Sequence, residues 1–287
     1  MNELYRILGL TKQAVHSMIR RLNTANDEQM QMLRLIMDIR KEHPGMGLRD
    51  IYFMLQPQHI GRDAFEAWCK RWQLQVRKKR NPYRTTDSNG VTRFDNLIEG
   101  KVLTNINQVW QSDITYFQCG KQCFYLTFIV DAFSRRIVGH HVSKRLLTEH
   151  TTLPALKMAL RLRKHQSYDN LIFHSDGGGQ YYDQHFLALT KQYGIKNSMC
   201  EYAWQNGKAE RINGIMKNNY LIYRDITSFE QLVKQVDQAV TAYNTTKPHS
   251  KLHRMSPITF EQNLLHLPAV NSGKLQPSRR PAEVYHN

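Results

Sequence analysis

Apolar positions change period along the chain, and the changes divide it. At the front, LYRILGLTKQAVHSMIRRL reads as two short helices: Gly9 interrupts the first, Thr11 caps the second, and Val15, Met18 and Leu22 line one face. A further helical group is predicted from Asp27, with Met30, Leu33 and Met37 inward, and HPGMG ends it. LRDIYFML and RDAFEAWCKRW predict two more helices, the second burying Phe65, Trp68 and Trp72. The period then falls to two. VWQSDITYF reads as a strand, GKQ as a turn, CFYLTFIVDAF as a near-continuous apolar strand and SRRIVGHHVS as a third. Thr148 opens a helix with Leu153, Leu156 and Leu160 inward, and NLIFHSD is a short buried strand. Asp183 caps a helix carrying Phe186 and Leu189, IKNSM is the last strand, and QNGKAERINGIMKNNYLIY is a helix. In the tail, Leu232, Val236 and Val240 or Tyr243 share one helix face, and Ser256 with Pro257 starts a final helix.

The order β-β-β-α-β-α-β-α is that of an α/β ribonuclease H-like fold, a mixed five-stranded sheet with flanking helices. The expected organisation is a helical, helix-turn-helix-like DNA-binding region over 1–80 and a linker over 81–105. A ribonuclease H-like catalytic core over 106–225, packing helices over 226–266 and a flexible basic tail over 267–287 follow. In such a fold the first and fourth strands lie side by side, so Asp113 and Asp176 meet at adjacent strand ends while Glu210 comes from a helix. Three carboxylates so gathered make a hard oxygen site suited to Mg²⁺, with Mn²⁺ as a substitute. Two such ions suit an in-line phosphodiester displacement.

Charge sharpens this. There are 40 Lys and Arg against 24 Asp and Glu, a formal charge of +16, which favours a polyanionic partner. Lys70, Arg71, Arg77, Lys78, Lys79, Arg80 and Arg84 run together without an acid. The segment is either a solvated helix end or a stretch that tracks phosphates. The four cysteines, Cys69, Cys119, Cys123 and Cys200, form no metal or disulfide spacing. With no leader and no long apolar run, they predict a reduced, cytoplasmic setting near the bacterial nucleoid, away from membranes.

VWQSDITYF, FIVDAFSRRIVGHHVS, FHSDGGGQYY, NGKAERINGIMKN and YNTTKPHSKLHRMSPITFE, in that order, resemble the transposases of bacterial insertion sequences with a retroviral-integrase-like core. The nearest likeness is to the larger reading frame of the insertion-sequence-three family, over roughly residues 27–262. The resemblance implies that Asp113, Asp176 and Glu210 are the catalytic, metal-holding triad. It implies that Lys217, two turns beyond Glu210 on the same helix face, touches DNA, and Arg211 beside Glu210 is expected to do the same. The partners it implies are double-stranded DNA, as element terminal repeats and as target, and a homodimer or larger synaptic assembly. A smaller upstream-frame protein, separate or fused, belongs to the same expectation. Glu210 follows Asp176 at a spacing two residues shorter than is usual for the family, with the deletion in the loop-like CEYAWQNGK; Glu201, the nearby competitor, lacks the helix context.

Several neighbours stay open at this level. Asp131 reads as a strand-end acid pairing with Arg135 or Arg136. His174 either orients a water or a phosphate, as a DNA contact, or is a satisfied strand histidine. Gly177 to Gly179 lack the Gly-Lys-Ser/Thr of a nucleotide loop and instead admit DNA backbone. Tyr181 and Tyr182 are core, a stacking platform, or one of each, and Trp204 and Asn206 touch flanking DNA. The function this predicts is metal-dependent cleavage and strand transfer at insertion-sequence ends, with integration into target DNA. A simple nuclease of the same fold and a non-catalytic DNA-binding regulator are the rivals.

Overall fold

A computed structural model describes residues 11–76, 93–164, 168–200 and 203–266. The basic run Arg77, Lys78, Lys79 and Arg80, and the tail after 266, lie outside the described residues.

The front is built differently from its sequence pattern. One helix, α1 (Lys12–Glu42), runs through both the segment capped by Thr11 and the group expected from Asp27, with Thr11 accepting the Ala14 amide at 3.1 Å; the short helix expected before Gly9 lies outside the described residues. Asp27 lies inside it. The buried stripe also falls elsewhere: Ile36 is fully buried with Met32 and Ile39 beside it, whereas Met18, Met30 and Met37 are exposed. The pattern offers two apolar stripes on this helix. Only the one that meets α2 (Leu48–Leu55) and α3 (Arg62–Arg71) is used. In α3, Phe65 and Cys69 are buried, Trp68 is half-buried and Trp72 is exposed.

This helical unit is fastened to the rest through HPGMG. His43 is buried, its Nδ1 2.8 Å from the Tyr220 hydroxyl and its Nε2 2.8 Å from Thr246 Oγ1. The Gly45 amide donates to the Asn219 carbonyl at 2.8 Å. A Cβ at Gly45 would stand 2.5 Å from the Asn219 Cα, so only glycine lets the two backbones come this close. Asp50 adds ion pairs to Lys247 at 3.3 Å and Arg254 at 3.2 Å.

The sheet comprises β1 (Val109–Cys119), β2 (Gln122–Asp131), β3 (Ile137–Ser143), β4 (Ile172–Ser175) and β5 (Lys196–Met199), in the order β3-β2-β1-β4-β5. The first three strands are an antiparallel meander; β4 and β5 run parallel to β1. This is the ribonuclease H-like arrangement expected from the element order. Residues 93–103 are attached to the sheet. The Leu97 amide donates to Ser198 Oγ at 2.9 Å, and Ile98 is buried against Val109 and Ile172.

Each face of the sheet is closed by helices. On one side α4 (Thr152–Arg163) and α5 (Gln184–Gln192) bury Leu156, Leu160 and Phe186 against Trp110, Ile129 and Phe173. On the other, α6 (Gly207–Ile215), its π-helical continuation Met216–Tyr220 and α7 (Phe229–Thr245) pack on the alternate side chains Phe124, Leu126, Phe128 and Val130 of β2. The last described helix, α8 (Pro257–His266), carries Glu261 into a buried ion cluster with Arg136 and Arg163, all contacts at 2.6–2.8 Å.

Candidate active site

Register brings the two aspartates together. Ser112 of β1 pairs with Ser175 of parallel β4, and the next residue on each is an acid, Asp113 and Asp176. The third acid comes from α6. Because Ile212, Met216 and Tyr220 are the residues buried on β2, the stripe holding 210, 213 and 217 is set towards β1. Asn213 Nδ2 donates to Asp113 Oδ2 at 2.8 Å. Just before α6, Asn206 Nδ2 donates to the Ser112 carbonyl at 2.9 Å. Two asparagines thus peg the helix to the strand that carries Asp113.

The electrostatics are unbalanced. Burial, then the charges of Asp176 and Glu210, push the Asp113 carboxyl up to about 7, against the pull of Asn213 and the Ile114 amide. Burial also raises Asp176, whose Oδ1 accepts the Gly178 amide at 3.2 Å, and raises Glu210, with Asp176 adding to the rise. Lys217 is a cation within electrostatic reach of Asp113. Burial lowers its pKa while Asp113 works in the opposite direction. Among the described residues no salt bridge reaches any of the three acids. Asp113 and Asp176 are half-buried and Glu210 is exposed. As the side chains stand, no three His, Cys, Asp or Glu among the described residues converge closely enough to hold one ion.

Other expected contacts resolve differently. His174 is fully buried, with Nδ1 2.9 Å from Ser198 Oγ, and burial holds its pKa at about 4. It is a neutral strand histidine, screened from DNA by the sheet and the 93–103 segment. Asp131 does not pair with Arg135 or Arg136 through its side chain. Its carboxylate accepts the amides of Asn107, Phe133 and Ser134 at 2.7–3.1 Å and meets Arg163 at 3.4 Å. Arg136 goes to Glu261 instead. Asn206 is buried in its bond to β1, not on a DNA-facing surface. Tyr181 is core, its hydroxyl 2.9 Å from Ser112 Oγ, while half-buried Tyr182 lies under the Arg93 guanidinium at 4.2 Å. The side chains of Glu201 and Trp204 lie outside the described residues. Asn213 went unread in the sequence, although its place three after Glu210 and four before Lys217 puts it on their stripe.

An antiparallel meander followed by two parallel strands, with acids at the adjoining ends of β1 and β4 and a helix laid across them, defines the integrase-core class of polynucleotidyl transferases. Residues 104–203 match one family model described as integrase core domain, and residues 193–257 match a second of the same description. A 31 kDa protein of insertion element IS600 from Shigella sonnei is 30% identical over 208 residues, which cover 71% of this chain and 75% of that one. The transposase InsF of insertion sequence IS3fB from Escherichia coli K12 is 30% identical over 215 residues, covering 72% and 73%. The chain belongs to this family of IS3-type insertion-sequence transposases, enzymes of DNA cleavage and transposition. Among solved structures, the integrase catalytic core of HTLV-2 in complex with magnesium is similar over 58% of this chain and 99% of its own, at 22% identity and a TM-score of 0.43. No described helix is long and apolar enough to cross a membrane.

Proposed function

We propose that the chain cuts the ends of its own insertion sequence and joins the freed 3′ hydroxyl to target DNA, with Asp113, Asp176 and Glu210 holding divalent metal. The observation that carries this reading is the set of three like charges, drawn from two parallel strand ends and one helix, with no salt bridge among the described residues to balance them. The donor set fits Mg²⁺ or Mn²⁺, because all three ligands are hard carboxylate oxygens. When bound, two such ions supply Lewis-acid stabilisation to the attacking and departing oxygens of a phosphodiester.

The protein's own groups do the rest. Asn213 fixes the orientation of Asp113, and through it the direction of its second oxygen. Glu210, exposed on α6, turns inward to complete the set; ordering its side chain costs about 1–2 kcal/mol. Lys217 meets a phosphate oxygen beside the acids, and its partial burial strengthens that contact. Helices α1–α3 and the basic run from Arg77 to Arg80 grip the element end, with affinity that falls as salt rises. Joining two ends requires at least two copies, and a smaller upstream-frame protein is a candidate member of the assembly.

The test uses purified protein, Mg²⁺ and a labelled duplex carrying the element's terminal repeat, comparing wild type with Asp113→Asn. Cleaved and joined products that need metal and vanish in the variant are expected. Cleavage without joining reassigns the chain as a nuclease. Binding alone leaves a regulator or a chain that needs its upstream partner.

A further inference from the structure

The flank of α6 turned away from Asp113 is as basic as the other is acidic. A cavity of about 270 Å³ opens there, and Arg135, Lys208, Arg211 and Lys251 line it, with no acid among the described lining residues. These cations come from three separate places: the β2–β3 turn, α6 and the turn at 250–252. Arg135 holds φ at 63°, a left-handed conformation that a long side chain rarely adopts. The floor is aromatic. Tyr243 of α7 is buried and meets the His249 ring edge-on at 4.8 Å. Burial raises the Tyr243 hydroxyl, and both Arg135 and Arg211 pull it back; all three line the cavity. Burial, followed by Lys247 and Arg135, holds the His249 ring neutral with a pKa of about 3. Its Nε2 is sealed from solvent and has no hydrogen-bond partner among the described residues.

Two guanidinium groups and two ammonium groups drawn from three separate segments line one hollow, a donor set that suits an oxyanion. We propose that this cavity is a second phosphate site, holding a backbone phosphodiester of the bound DNA on the far side of α6 from the acids. The assignment rests on the transposase reading above. It adds a contact distinct from the scissile phosphate, because the body of the helix separates the two. A phosphate there would be met by the guanidinium forks of Arg135 and Arg211, geometry that suits bidentate recognition. Lys208 and Lys251 would add point charges at the rim. Arg211 and Lys251 are exposed, so their replacement leaves the core intact.

The experiment measures affinity for a duplex carrying the element end, without divalent metal, across a salt series. It compares wild type, the double substitution Arg211→Ser with Lys251→Ser, and a charge-matched control, Lys121→Ser with Lys191→Ser, at exposed positions elsewhere. The pocket variant is expected to bind about tenfold more weakly, with a slope of log affinity against log salt shallower by about 0.9 for one lost phosphate. The control should stay within about twofold. Ethylation of one particular backbone phosphate should impair wild type and no longer impair the pocket variant. Equal losses in both double variants, or an unchanged ethylation pattern, overturn the site. If orthophosphate raises the wild-type Tm while the pocket variant keeps full DNA affinity, the cavity takes a free anion and the DNA assignment falls. A wild type that binds no duplex even at low salt overturns it too. Because the readout is binding, the two readings fail separately. A pocket effect with no cleavage under any condition sinks the proposed chemistry alone, whereas cleavage lost in Asp113→Asn with an inert pocket variant sinks the cavity alone.

Discussion

Asp131 stands opposite Trp110, three residues along β1 from Asp113, and the two acids are treated in opposite ways. Asp131 is fully buried yet provided for: three backbone amides and Arg163 surround its carboxylate, and Glu261 balances Arg163 and Arg136 in turn. Burial raises its pKa, while Arg163 and the amides work to bring it back. Asp113 is only half-buried, but it has one asparagine and two like charges for company. The two acids therefore differ most in the balance of their partners, which is what the proposed roles, structural for Asp131 and reactive for Asp113, require. Carboxylates with no salt bridge among the described residues at one spot, and a neutralised one about 10 Å along the same sheet, are what the proposed cation site calls for.

Three substitutions can break or sharpen that contrast. Asp131→Ala has the largest expected effect: it orphans three amides and unbalances Arg163, and should cost about 3–5 kcal/mol of stability, read as a lowered denaturant midpoint. A loss below about 1 kcal/mol would mean that the ion cluster closes without it. Asn213→Ala should leave stability nearly intact and slow cleavage by about 10- to 100-fold, as loss of a group that orients a metal ligand does. An unchanged rate would show that Asp113 needs no such guide. Asp113→Asn should be the mildest for the fold, raising Tm of the metal-free protein by about 2–4 °C at pH 8, for roughly 1 kcal/mol of relieved repulsion.

The same contrast has a pH form. An unfolded aspartate titrates near 3.9, whereas Asp113 in the fold titrates at about 7. Between those values the folded state holds the extra proton, so the Asp113 contribution to stability declines as pH rises from about 4 to about 7 and is level above. Subtracting the Asp113→Asn profile from the wild-type profile isolates it. Added Mg²⁺ should recover the difference above pH 7 in wild type and not in the variant; equal recovery in both would place the ion elsewhere.

Much of the core was legible because its signals are local. The alternation in VWQSDITYF, the turn at GKQ and the Asp183 cap each fix an element, and the element order then sets β1 beside β4, which brings Asp113 to Asp176. What the chain hid was relational. Nothing near Asp27 reveals that α1 continues through it, since an exposed aspartate in a helix interior costs little. The choice between the stripe of Met30 and Met37 and that of Met32 and Ile36 depends on where α2 and α3 dock. His174 looked like a site residue by proximity alone, and only the covering segment around Ile98 shows it to be enclosed. Asn213 was readable by spacing, but its bond to Asp113 needs the helix to be laid on β2 first. The basic cavity joins residues as far apart as Arg135 and Lys251, so no window of sequence contains it.

One helix separates the acids from the cations, and its thickness is then a dimension of the reaction. An α-helix with its side chains is about 10–12 Å across. A phosphate lodged in the basic hollow would therefore be held about one helix width from the one at the acids. On that reading α6 is a ruler: it measures where a strand is cut by the width of its own body, independently of which bases lie between.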